Sequence, residues 1–357
     1  MSNHSQGPIL YTAYPLLPVS DASCGGAEQI LWSLEREMSL RGRATVVAAC
    51  RSSRVSGDLV ATGSAPNTDD AFETREAEHT AKVLEFANGR KLSLIHDHSG
   101  WFWRHAEKVN VPVLATLHLP RSLYDESAFQ GLARNVYFNC VSDSQMASFQ
   151  DLPRMLGVVQ NGIDVERFVF SRKKENYLLW LGRICPEKAP HLAIEAAQRA
   201  GMRLVLAGQV YPFSYHRMYF EKEVRPLLDA AKSNVMFVET PTFEEKVKLL
   251  RCAKALLVTS LVAETCSLVA LEAGACGTPV IAFRNGALPE VIEQGRTGFT
   301  VPTLDALDTA IRDAGEISPE ECRHRVQTKF SSKAMADGYE KLYARLIGED
   351  RESRVAA

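Results

Sequence analysis

Apolar and polar positions fall in alternating blocks along this chain. The run "PILYTAYPL" predicts a buried first strand, the polar "LPVSDASCGGAE" a loop, and the helically spaced apolar residues from 29 to 40 a helix that ends near Gly42. "RATVVAAC" supplies a second strand, and this β-loop-α-β opening favours a parallel sheet. The polar stretch 51–70 reads as loop and 72–88 as helix. "LSLIHDH" (92–98), "VPVLATLH" (111–118) and "NVYFNCVSD" (135–143) read as strands that end in polar groups. In an open parallel sheet such strand ends form the ligand crevice.

The basic, polar segment "SRKKEN" then interrupts the pattern and sets a domain boundary near residue 170. Beyond it the alternation restarts, with strands at 177–182, 203–207, 235–238, 255–259 and 279–283, helices at 190–200, 216–231 and 243–252, and a small-residue helix opening at Glu264. A last helix, 333–347, carries Met335, Tyr339, Leu342, Tyr343 and Leu346 at helical spacing and needs a surface to cover. The expectation is an α/β protein of two Rossmann-like parallel-sheet domains, 1–170 and 171–330, with 331–357 as a helix crossing back to the first.

At 357 residues the chain exceeds one ordinary core, which agrees with two domains. A hydrophobic fraction of 46%, a charged fraction of 24% and a formal net charge of −2 exclude a general attraction to nucleic acid, so any phosphate site has to be local. No stretch approaches the roughly 18 apolar residues of a membrane span, and "MSNHSQGPILYTAYPLLP" lacks the basic start of a secretory leader. Eight scattered cysteines (24, 50, 140, 185, 252, 266, 276, 322) read as free thiols in a reducing, cytoplasmic setting. Peripheral membrane contact and oligomeric state are left open by this pattern.

Four groups of residues could carry chemistry. "LLWLGRICPEKAPHLAIEAA" puts Arg183 just after a strand and Lys188 just before a helix, so two cations and free helix N–H groups share one crevice that suits a diphosphate; solvated loop charges are the plainer alternative. Glu264 and Glu272 lie eight residues apart, roughly 12 Å along a helix, which resembles the separation of the two sugar rings in a nucleotide sugar. An acidic residue at a helix start needs no ligand, but Glu272 among "SLVAL" and "AGACG" must be paired or face a cleft. Gly25 and Gly26 could let backbone approach a ligand, or simply form a turn. His118, and His96, Asp97 and His98, end strands and could line a cleft on the acceptor side with Trp101; "HDH" also raises a metal site, for which no third ligand is identifiable, so none is expected. "GWFWRH" could instead bury Trp101 or Phe102 in the core.

These residues resemble the retaining glycosyltransferase family 4 (glycosyl transferases group 1), of GT-B architecture, in which two Rossmann-like domains face each other across a cleft. The resemblance rests on "GGAE", "TLH", "NGID", "LGR" with Lys188 five residues past the arginine, "AGQ", and Glu264 followed after seven residues by "EAGACGTPVIA", continuing through "NGALPEVIEQGRTGFTV". Their order and spacing are specific together. The resemblance implies that Gly26 approaches the donor and that Arg183 and Lys188 hold its diphosphate. It also implies that Glu264 binds the sugar and Glu272 the ribose, that Thr265, Cys266, Ser267 and Leu268 line the donor pocket beside Gly25, and that His118 lies near the reacting sugar. Two departures stand out, "ETCS" where the family often has "EPFG", and "NGALPE" in place of a glycine pair.

The implied function is transfer of a glycosyl group from a nucleoside diphosphate sugar, UDP- or GDP-linked with UDP the default, to an acceptor hydroxyl, with retention and without metal or bound cofactor. Two rivals are a noncatalytic sugar-nucleotide-binding protein, for which "ETCS" argues, and a GT-B phosphorylase or epimerase, against which the lack of an obvious pyridoxal-phosphate lysine argues.

Overall fold

The computed structural model describes residues 7–23, 25–63, 72–211 and 213–355. Cys24 and the 64–70 part of the expected 51–70 loop lie outside them. The chain divides into two compact units, Met1–Gly162 with Ser332–Ala357, and Ile163–Ser331.

The first unit holds a seven-stranded sheet of β1 (Ile9–Thr12), β2 (Thr45–Ala49), β3 (Asp58–Ala61), β4 (Leu94–Asp97), β5 (Val113–Leu117), β6 (Val136–Cys140) and β7 (Met155–Val158). All its pairings are parallel, in the order β3-β2-β1-β4-β5-β6-β7. Helices α1 (Gly26–Leu40), α2 (Phe72–Gly89) and α3 (Asp143–Met146) connect the strands. β3 falls where the sequence reads as loop. It is a four-residue edge strand, partly exposed and bonded only to β2, so it carries no apolar run to betray it.

The second unit repeats the plan with β8 (Tyr177–Leu181), β9 (Arg203–Gly208), β10 (Val235–Glu239), β11 (Ala255–Val258), β12 (Val280–Phe283) and β13 (Gly298–Val301), ordered β10-β9-β8-β11-β12-β13 and again all parallel. Its helices are α4 (Pro190–Arg199), α5 (Ser214–Tyr219), α6 (Arg225–Ala231), α7 (Phe243–Cys252), α8 (Leu268–Ala275), α9 (Leu288–Val291), α10 (Leu304–Asp313) and α11 (Pro319–Lys329). Both faces of this sheet are covered, which explains its near-continuous apolar strands. Leu179, Leu181, Val205 and Leu256 enter one core, while Leu178, Trp180, Leu204 and Leu257 enter the other.

The last helix, α12 (Ser332–Val355), belongs to the first unit. Met335, Tyr339, Tyr343 and Leu346 are buried there, and Arg41 near the end of α1 binds Asp337 and Glu340 at 2.7 Å each. No helix among the described residues is long and apolar enough to cross a membrane.

In each unit the strand order reverses direction beside the first strand, between β1 and β4 and again between β8 and β11. Loops leaving adjacent strands toward opposite faces part at these points, so a crevice opens at the carboxyl ends of the strands.

Candidate functional site

The β8–β11 switch point is built from two loops. One, 182–189, runs from β8 to α4 and carries Arg183 and Lys188; the other, 259–267, runs from β11 to α8 and carries Glu264, Thr265, Cys266 and Ser267. Thr259 ties them together. Its hydroxyl donates to the carbonyls of Lys188 and Ala189 at 3.1 and 2.9 Å and accepts from the Trp180 indole at 3.1 Å. The Leu261 amide adds a bond to the Glu187 carbonyl at 2.8 Å.

Lys188 and Glu264 meet in this frame as an ion pair, with the carboxylate side chain only 8% exposed and the ammonium 28%. Glu264 sits four residues before α8 rather than on it, so the helical spacing to Glu272 expected from the sequence does not apply. Its backbone is pinned from the other side, where Ala287 donates to the Glu264 carbonyl at 2.7 Å. Gly286 adopts φ +54, and a Cβ there would lie 2.3 Å from that carbonyl oxygen. Glycine is therefore required at the altered "NGALPE" turn by the backbone it supports.

Ser267 precedes α8 without a side-chain cap bond, and the first turn, which begins at Leu268, contains no acidic residue. This end of α8 presents backbone N–H groups, a setting that favours anions. Glu272, on the same helix, is buried, and its carboxylate accepts from Lys246 Nζ at 2.7 Å. The pairing resolves the puzzle of a carboxylate in an apolar helix, since an ionised group can be buried when its charge is met. Arg183 is exposed, with its guanidinium 5.8 Å from the Tyr211 ring centroid.

The β1–β4 switch point of the first unit holds the other candidates. Gly25 caps α1 and Gly26 begins it, but the place of a Gly25 Cβ is taken by the Glu28 carboxylate, 1.9 Å away. Burial pushes the Glu28 carboxyl up to about 7. His96, His98 and His118 form a chain across the tips of β4 and β5, with His98 Nδ1 2.9 Å from His118 Nε2 and its Nε2 3.3 Å from His96 Nδ1. His96 continues inward to the Tyr343 hydroxyl at 2.6 Å and to Thr116 at 2.7 Å, and Thr116 donates to Asn139 at 2.8 Å. Burial holds His118 down to about 4 and holds His96 and His98 well below the usual range as well, so all three are neutral at pH 7.

Asp97 is spent on local structure. Its carboxylate accepts from the Ser99 amide and hydroxyl at 2.8 and 2.6 Å and from the Trp103 amide at 2.9 Å, although burial raises it to about 6. Trp103 and Phe102 are core residues, while Trp101 is half-buried beneath the Arg104 guanidinium, 4.4 Å from its centroid. The sequence reading missed one cluster, Cys185, Glu187 and His216, whose ligand atoms all lie within 4.8 Å of one another. "CPE" beside the basic loop was the available signal, obscured because the histidine belongs to a different helix.

Two successive Rossmann-like units with this strand order make up the GT-B fold. Sucrose-phosphate synthase from Thermosynechococcus elongatus superposes with a TM-score of 0.80 at 20% identity, over 96% of this chain and 100% of that one. HepE of Anabaena in complex with UDP-glucose gives 0.73 at 16% identity, over 95% and 100%. At such identities the likeness is one of fold. Residues 163–329 match the model of the family Glycosyl transferases group 1. Among curated relatives, D-inositol 3-phosphate glycosyltransferase of Mycobacteroides abscessus is 26% identical over 72% of this chain and 67% of its own length. The protein of the same name from Mycobacterium bovis is 28% identical over 57% of this chain and 46%, or about half, of its own length.

Proposed function

We propose that the chain moves a glycosyl group from a nucleoside diphosphate sugar, UDP-linked first and GDP-linked second, to an acceptor hydroxyl with retention of anomeric configuration. The observation that carries this is the Lys188–Glu264 contact at the β8–β11 switch point, a cation and a carboxylate held side by side where a diphosphate and its sugar would meet. Lys188 and Arg183 offset the charge that grows on the leaving diphosphate, together with the N–H groups opening α8. Glu264 accepts hydrogen bonds from the sugar hydroxyls, and Glu272 from the ribose diol, sharing its carboxylate with Lys246. Thr265, Cys266, Ser267 and Leu268 line the donor side. His118, on the first unit, is neutral because of its burial and would meet a sugar hydroxyl as an uncharged hydrogen-bonding group rather than as a charged acid.

The bond from the anomeric carbon to the diphosphate oxygen breaks as the bond to the acceptor oxygen forms on the same face, and the acceptor proton passes to the departing diphosphate. Two side-chain cations supply the counter-charge, so this step draws on no divalent metal at the diphosphate. The UDP-glucose carried by a structural neighbour supports a UDP donor, and the name of the curated relatives makes an inositol phosphate the first acceptor to try.

The test is incubation with a panel of UDP- and GDP-hexoses and acceptors, reading nucleotide release and product mass, with NMR of the anomeric proton. Acceptor-dependent release that is indifferent to added Mg²⁺, giving a product with the donor's configuration, is expected. Tight donor binding without turnover across a broad acceptor panel would instead identify a sugar-nucleotide-binding protein.

A further inference from the structure

The same basic loop holds a second constellation, which sugar transfer leaves unused. Cys185 and Glu187 come from the loop between β8 and α4, and His216 comes from α5. His216 is 0% exposed, and neither of its ring nitrogens has a hydrogen-bond partner. One carboxylate oxygen of Glu187 is likewise buried and unpartnered. The imidazole is enclosed by Tyr211, Phe213 and Tyr215, with ring centroids 5.9, 5.3 and 4.2 Å away. Each unmet buried polar group costs about 1–3 kcal/mol, so three of them in one small volume require a ligand to answer them.

A thiolate, an imidazole and a carboxylate together form a borderline-soft set that favours Zn²⁺ over Mg²⁺ or Ca²⁺. We propose that Cys185, Glu187 and His216 bind a zinc ion, with a fourth position left for water. Tetrahedral zinc bonds of about 2.0–2.3 Å place donor atoms roughly 3.3–3.8 Å apart, so the loop and α5 draw together by about an ångström when the ion enters. The Cys185 thiol donates to the Arg183 carbonyl of the same loop at 3.6 Å, a weak contact that the ion replaces. On binding, the Cys185 proton leaves to solvent, a sulfur–zinc bond forms, and no electron is transferred. Thiolate and carboxylate then cancel the two charges of the ion, which makes the site compatible with the nearby guanidinium of Arg183. The ion tethers α5 to the loop that carries Arg183 and Lys188, and this role is independent of which sugar, if any, the chain transfers.

The whole chain, stripped with a chelator, is exposed to Zn²⁺ alone, desalted and measured by plasma mass spectrometry. About one zinc per chain is expected to remain, and Cys185→Ser, Glu187→Gln and His216→Ala should each lower the retained amount about tenfold or more, while a Cys252→Ser control keeps it. Co²⁺ in place of zinc should give a thiolate charge-transfer absorption that Cys185→Ser lacks. Zinc should also raise the melting temperature of the wild type and not of His216→Ala, a comparison that stands even if the variant is itself less stable. No zinc retained by the wild type, or equal retention by the three variants, would overturn the site.

Discussion

Lys188 and Gly286 show how single residues set the proposed donor site. If Lys188 carries counter-charge to the leaving group, Lys188→Ala should lower kcat by about 10²–10³-fold while the melting temperature changes little, as measured by steady-state turnover beside calorimetry. Near-normal turnover would reduce the pair with Glu264 to a structural contact. Gly286→Ala tests the support beneath Glu264. The substitution forces a Cβ against the Glu264 backbone at positive φ, so a loss of at least about 1–2 kcal/mol by urea unfolding is expected, with weaker donor binding. Glu264 and Glu272 were legible as odd carboxylates in an apolar stretch. Their lysine partners were not, because Lys188 and Lys246 lie 76 and 26 residues away and local periodicity carries no information about such pairs.

α12 is more than a cover for apolar surface. The register pairs Tyr11 with His96 and Thr116 with Asn139, a row of buried polar side chains across the face of the first sheet that α12 packs on. Tyr339 and Tyr343 reach into this row, to Thr116 at 3.1 Å and His96 at 2.6 Å. Thr116 gives its proton to Asn139, so His96 donates from Nε2 and its Nδ1 is an acceptor, facing at 2.6 Å the Tyr343 hydroxyl, whose proton is also aimed at Tyr11 at 3.3 Å. Tyr343→Phe leaves that buried nitrogen short of its donor, and a loss of about 1–3 kcal/mol in unfolding free energy is expected. An unchanged free energy would mean His98 alone satisfies His96. The sequence showed α12 as a helix with an apolar stripe, since 3.6-residue spacing is a local property. Its polar use of Tyr339 and Tyr343 depends on strands over 200 positions away, for instance the 247 separating His96 from Tyr343.

At the scale of the molecule, the buried histidines should make the first unit acid-sensitive. His79 and His118 are held down to about 4, and burial also holds His96 and His98 well below the ordinary value near 6.5, so below that value the unfolded chain binds protons that the folded one refuses. Stability from these groups is complete above about pH 6.5 and declines as pH falls toward 4. Asp97 and Glu28, raised to about 6 and about 7, work in the opposite direction and gain stability on acidification, but two carboxylates oppose four histidines. Urea midpoints followed by tryptophan fluorescence should therefore fall between about pH 7.5 and about pH 5. A flat or rising midpoint would show that the histidines are accommodated when charged. The alternating α/β pattern was readable because parallel strands buried on both faces are short apolar runs, whereas the edge strand β3 and the cluster of Cys185, Glu187 and His216 have no such signature. The topology also bears on biosynthesis. The second unit, Ile163–Ser331, interrupts the first, whose sheet is synthesised early while the helix that completes it comes after. On the ribosome Ile163–Ser331 can close its own core as soon as it emerges. The earlier sheet, with its histidines and hydroxyls still uncovered, must wait for Tyr339 and Tyr343, and that interval is when a chaperone would find it.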